Sequence, residues 1–167
     1  MSGKAIPTKV AVYKAVCISM SLCGCEAWTP YRRHIKALEA FHIRCLQTIL
    51  GVRWWQKIPH VEISKASITP IEHLLVQRQL HWLVHVIRLR DNRLPRRLLY
   101  GELSQGQRSV GRPKKRFSDH IRITLQKCNI QLSDLEASAS KRDAWRTVCE
   151  AVLSNLMNGW ISDSMKR

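Results

Sequence analysis

Apolar positions recur at helical rather than strand spacing along most of this chain. From Lys9 to about Cys23, Val12, Val16 and Met20 return at every fourth residue, the interval that stacks side chains on one helix face. The apolar run Val10 to Leu22 reads as a buried helix that Gly24 breaks. After Pro30, between Tyr31 and Leu50, the residues Ile35, Leu38, His42, Cys45, Leu46 and Ile49 share one side, while Arg32, Arg33, Lys36 and Arg44 fall largely elsewhere. This amphipathic pattern predicts a helix stopped by Gly51. Pro59 and Pro70 bracket a short piece, Val61 to Ile68, with room for one or two helical turns. Pro70 then opens a helix from Ile71 to Arg90, with Thr69 as its expected cap and Leu74, Leu75, Leu80, Trp82, Leu83, Val86 and Ile87 as its apolar positions.

Asp91-Asn92 ends that helix, and a short amphipathic turn at Pro95 to Tyr100 leads into Gly101. Ser104 to Pro113 is rich in Gly, Ser, Gln and Arg, carries no apolar period and reads as loop. Phe117, Ile121, Leu125 and Cys128 mark a further helix, with Asp119 near its start, where an acid complements the helix dipole. Ser133 to Glu136 and Ser140 to Asp143 both have the Ser-x-x-acid capping pattern. The second is expected to open a last helix that buries Ala144, Trp145, Val148, Val152, Leu153 and Leu156 and ends near Asn158-Gly159. Long strand-like alternation and fixed repeats are absent. The expected fold is all-α, an irregular assembly of five or six helices with a basic loop before a C-terminal helix pair. Its parts are an N-terminal helical part over 8–103, a basic flexible loop over 104–116, a helical pair over 117–160 and a tail over 161–167. Periodicity leaves open whether the two helical parts share a core.

Composition narrows the function classes. A length of 167 residues suits one domain and leaves no room for a polymerase, a kinase or another large catalytic fold. Lys+Arg 28 against Asp+Glu 12 gives a net charge of +16, yet 45% of residues are hydrophobic, which argues against a disordered basic tail and for an anionic partner. The plainer reading is a helical protein whose charge serves solubility. The distribution of the charge separates the two. Arg88, Arg90, Arg93, Arg96, Arg97, Arg108, Arg112, Lys114, Lys115 and Arg116 stand within 86–116 beside only Asp91 and Glu102, an excess of +8 and half of the total. A cationic stretch of this kind attracts a phosphate backbone, because each neutralised phosphate releases counterions. These ten residues are the candidate nucleic-acid-binding set.

Within it, Gly111-Arg112-Pro113-Lys114-Lys115-Arg116 is an extended basic segment. It fits a minor-groove hook through Arg112, a nuclear-import signal, or solvated charge ahead of a helix. Trp54 and Trp55, flanked by Arg53 and Lys57, fit either stacking on exposed bases or closure of the core over a helix end.

Other chemistry is sparse. The six cysteines show no C-x2-C pair and no dense disulfide framework, and no signal peptide is evident, so the nucleus or cytoplasm is expected rather than secretion. The run Val10 to Leu22 is interrupted by Lys14 and falls short of the roughly 17–25 residues of a membrane helix, so no membrane partner is expected. His81 and His85 stand four apart without the acid of an H-E-x-x-H motif, and satisfied or surface histidines are the expected reading. No Gly-rich phosphate loop or positioned base is visible, and Asp91, Asp119, Asp134, Asp143 and Asp163 are scattered. The expectation is a protein without catalytic residues, cofactor or metal.

A series of blocks carries a family resemblance: Cys23-Gly24-Cys25-Glu26-Ala27-Trp28, Arg44-Cys45-Leu46 with Ile49-Leu50-Gly51, Ile71-Glu72-His73-Leu74, Arg78-Gln79-Leu80-His81-Trp82 with His85-Val86, Tyr100-Gly101-Glu102-Leu103, the stretch from Gly111 to Phe117, and Trp145. In this order they resemble the carboxy-terminal region of reverse transcriptase polyproteins of animal LINE-type (non-LTR) retrotransposons, from about Thr8 to Cys149. The resemblance implies the helical, thumb-like portion that follows the palm, without the upstream endonuclease or the palm's metal site. It therefore implies a non-catalytic protein that grips RNA, DNA or their hybrid, or a retroelement relic without selected function. Cys23, Val84 and Phe117 depart from the family's usual Tyr, Gly and Trp, and Val84 implies altered helix packing. A reading from another class is a helical protein-protein interaction module, in which Trp54, Trp55 and the first helix dock on a protein partner.

Overall fold

In the computed structural model, which describes residues 5–56, 69–101 and 115–165, the regular structure is helical throughout, as the apolar spacing predicts. The helices are α1 (Ala5–Tyr13), prolonged by a π-helical stretch (Lys14–Ile18) and a final turn (Ser19–Ser21), then α2 (Arg32–Leu50), α3 (Ile71–Ile87), α4 (Leu94–Tyr100), α5 (Phe117–Lys127), α6 (Leu132–Ser140) and α7 (Arg142–Met165). The chain divides into two compact units. One holds Met1–Cys25, Pro30–Leu75 and Asn158–Arg167, and the other holds Glu26–Thr29 and Val76–Met157.

The first unit is built on α1 and α2. Its core contains Val10, Tyr13, Ile18, Leu22, Cys25, Leu46, Ile71 and Leu75, with Ile35, Leu38 and Ile49 packed against it. The apolar repeat of α1 marks the wrong face: Val12, Val16 and Met20 are exposed. Val10 and Tyr13 set the buried face of α1 and already leave Val12 outside it; the π-helical stretch then lodges an extra residue between Tyr13 and Ile18 and rotates the later positions, so that the buried series continues with Ile18 and Leu22. At the end of α2 the expectation holds. Gly51 adopts φ 70°, and the Val52 N–H donates to the Gln47 carbonyl at 2.9 Å, closing the left-handed helix stop. The start of α3 is capped otherwise than expected. The Ile71 N–H donates to Glu39 Oε2 at 2.9 Å, so a carboxylate from α2 takes the place of the Thr69 hydroxyl.

In the second unit, the later part of α3 and helices α5, α6 and α7 share one core of Leu80, Leu83, Val84, Ile87, Ile121, Leu125, Cys128, Leu135, Ala139, Trp145, Cys149 and Val152. The segment after the basic loop therefore packs on α3. Val84 is itself core. Several boundaries differ from the expectation. Helix α3 ends at Ile87 rather than Arg90, because the Arg96 side chain takes the Ile87 and Leu89 carbonyls. The expected C-terminal pair is three helices: Ser133 lies inside α6, whose cap position is Gln131, and α7 begins at Arg142. Ser140 does not cap α7; its hydroxyl turns back to the Glu136 carbonyl at 2.9 Å. Helix α7 passes through Gly159 and runs to Met165, into the expected tail. Trp145 is core as expected, whereas Trp82 is only half-buried, with its ring 5.3 Å from that of His85. Val61 to Ile68 and Ser104 to Pro113 lie outside the described residues.

Candidate nucleic-acid interface

The described basic residues of the candidate set lie in the second unit, on α4, on the turn before it and at the start of α5. Helix α4 is short and lacks a side-chain cap, so its position depends on contacts to its neighbours. Arg96 supplies most of them. Its Nε lies 2.8 Å from Asp91 Oδ1, its Nη1 donates to the Ile87 and Leu89 carbonyls, and its guanidinium sits over the Tyr100 ring at 5.6 Å. Tyr100 in turn donates its hydroxyl to Glu136 Oε1 on α6 at 2.9 Å. Burial first, then Glu136, raises the Tyr100 phenol above its ordinary range.

These contacts sort the arginines. Arg96 is turned inward as a tie between α3 and α4, and Arg88 Nε donates to the Ala139 carbonyl on α6. Arg90, Arg93 and Arg97 are exposed. Helix α4 packs on α5, at whose start Lys115 and Arg116 are half-buried, Arg116 in the cap position. Arg108, Arg112, Lys114 and the Trp54 side chain lie outside the described residues. Trp55, in the first unit, is 58% exposed, with the Arg53 guanidinium over its ring at 5.6 Å.

Lys115 is fixed by a polar chain that runs into the core. Its Nζ lies 2.9 Å from His120 Nδ1, His120 Nε2 lies 3.2 Å from Gln79 Oε1, and Gln79 Nε2 donates to the Trp28 carbonyl at 3.0 Å. An ammonium only donates, so Nδ1 accepts and the ring hydrogen sits on Nε2, facing Gln79. Burial, followed by the charges of Lys115 and Lys127, pushes the His120 pKa down to about 4, which keeps this neutral tautomer at physiological pH.

The chain matches no family model, no curated protein and no solved structure.

The reading of the site therefore rests on its residues. Sequence reasoning missed Gln79, His120 and Tyr100. Gln79 and His120 carried a usable signal, since each is a polar residue at an apolar position of a helix, where burial demands a partner. Among the described residues no group of three or more His, Cys, Asp and Glu is placed to hold a metal, and His81 and His85 are exposed. None of the described helices is long and apolar enough to cross a membrane.

The first unit carries a different feature, an apolar groove of about 770 Å³ between α1 and α2, lined in part by Val12, Tyr13, Cys17, Cys45 and Ile49. Below it Tyr13 Oη and His42 Nδ1 are 2.9 Å apart, and burial pushes the His42 pKa down to about 4.

Proposed function

We propose that this chain is a non-catalytic nucleic-acid-binding protein that grips a polynucleotide through its phosphates, and that it derives from the carboxy-terminal region of a LINE-type reverse transcriptase. The observation that carries the proposal is the exposure of Arg90, Arg93 and Arg97 around α4, an element braced from beneath by Arg96 and packed on the helix that Lys115 and Arg116 introduce. Arg88 and Arg96 serve the fold, while Arg90, Arg93 and Arg97 face solvent, where phosphate contacts form without dismantling a packed structure. The resemblance to the retroelement region supports the same reading. RNA, duplex DNA and an RNA–DNA hybrid of matched length, titrated side by side into one folded sample, test it. Binding to at least one, weakened alike for all sequences when Arg90, Arg93 and Arg97 are replaced by Ala, supports phosphate contact, and retention of none refutes it.

A second reading, a helical protein-protein interaction module, is favoured by the apolar groove beside exposed Val12, Val16 and Met20. It predicts salt-insensitive capture of a protein that survives nuclease treatment.

A further inference from the structure

We infer that Tyr100 is a stacking platform for a nucleobase and that the polymer held by the α4 arginines is single-stranded; the inference rests on the nucleic-acid reading above. Tyr100 closes α4 and lines a recess of about 460 Å³ together with Asp91, Arg96, Arg97, Gly101 and Glu136, a volume in the range of small-molecule sites. The ring is 50% exposed although its orientation is fixed at two points: the hydroxyl on Glu136 Oε1 at 2.9 Å and the Arg96 guanidinium over one face at 5.6 Å. An exposed aromatic ring with few remaining degrees of freedom loses little entropy when a flat ligand settles on it.

The charges of the recess select the kind of ligand. Asp91 and Glu136 balance Arg96 and Arg97, and Asp91 is already paired with Arg96. A phosphate gains little at a balanced site and meets two carboxylates. A neutral base, with donors and acceptors along its edge, finds both hydrogen-bonding partners and an aromatic face. The phosphates on either side of such a base fall to the exposed Arg90 and Arg93 outside the recess. Gly101 lets the chain leave α4 close to the Arg97 carbonyl oxygen, which a Cβ there would run into. In a duplex the base faces are covered by their neighbours, so only a single strand, or an unpaired end, offers a face to Tyr100.

The test uses the full chain and four fluorescent probes of about 12 nucleotides, a length suited to a single-strand site: mixed-sequence RNA, the same sequence as single-stranded DNA, an abasic deoxyribose-phosphate strand, and the DNA duplex. The wild-type protein is expected to hold the base-bearing strands about tenfold or more tighter than the abasic strand. Tyr100→Ala should reduce that preference to about twofold or less, and Tyr100→Phe, which keeps the ring, should retain most of it. Equal wild-type affinity for abasic and base-bearing strands overturns the inference without any variant, and so does a Tyr100→Ala preference unchanged from wild type. Failure of all four probes to bind overturns the phosphate-gripping reading beneath it.

Discussion

Nζ of Lys115 lies 2.9 Å from Nδ1 of His120, so the end of the basic block is tied to a buried, neutral imidazole on the helix it introduces. Protonation of His120 would set a second cation against the ammonium and break the tie. The flanking sequence can therefore remain strongly basic while Lys115 keeps one fixed place at neutral pH.

This buried imidazole and that of His42 set the response to acid. Both take up a proton in the folded state only near about pH 4, against an ordinary value of 6.5. Between those values the unfolded chain binds more protons than the folded one, so stability rises with pH through the window and is lost on acidification. The thermal midpoint should fall by several degrees between about pH 7 and about pH 4.5, and His120→Gln should flatten part of that slope. A midpoint independent of pH across this range would show that the histidines are not held neutral.

Gly51 gives a purely conformational test. A Cβ at this position meets nothing within 4 Å, yet the backbone sits at φ 70°. Gly51→Ala is expected to cost about 1–2 kcal/mol in urea denaturation through the left-handed conformation alone. A neutral outcome would mean that α2 ends without the left-handed stop.

Much of this was legible in the residues and some was not. The α2 pattern, its Gly51 stop and the burial of Trp145 followed from spacing, because a straight helix with one wet face carries its geometry in its sequence. The face of α1 did not follow, because Val10 with Tyr13 competes with the Val12 repeat for the core, and beyond Tyr13 a π-helical insertion shifts the register with no local residue to announce it. The Ser140 cap failed for a related reason, the hydroxyl having a competing carbonyl one turn back at Glu136. In the candidate site the concentration of charge was visible, but charge counts cannot separate Arg96, directed at carbonyls and a ring, from Arg97, directed at solvent. That division depends on how α3 ends, which is a tertiary fact.

Thiol reactivity should follow the two cores. Burial raises the Cys128 and Cys149 pKa values to about 11, so both remain protonated within the core of the second unit. Cys17 and Cys23 are exposed. Alkylation at about pH 8, followed by mass spectrometry, should modify Cys17 and Cys23 first and reach Cys128 and Cys149 only on unfolding. Early labelling of Cys149 would contradict the packing of α7 against α5.

The arginines divide into two kinds of variant. Arg96→Ala should lower stability by about 1–3 kcal/mol, since it strips partners from the Ile87 and Leu89 carbonyls and from Asp91. Arg97→Ala should leave stability within about 0.5 kcal/mol and act on affinity alone. Urea titration beside a binding assay separates these effects, and equal stability losses in the two variants would contradict the inward assignment of Arg96.

The salt dependence of polynucleotide affinity tests the central claim most directly. If Arg90, Arg93, Arg97 and the neighbouring cations neutralise phosphates, log Kobs should fall linearly with log salt between about 50 and 200 mM, and each exposed arginine replaced by Ala should reduce the slope by about 0.7–0.9. A wild-type affinity that is unchanged over this range would contradict the claim.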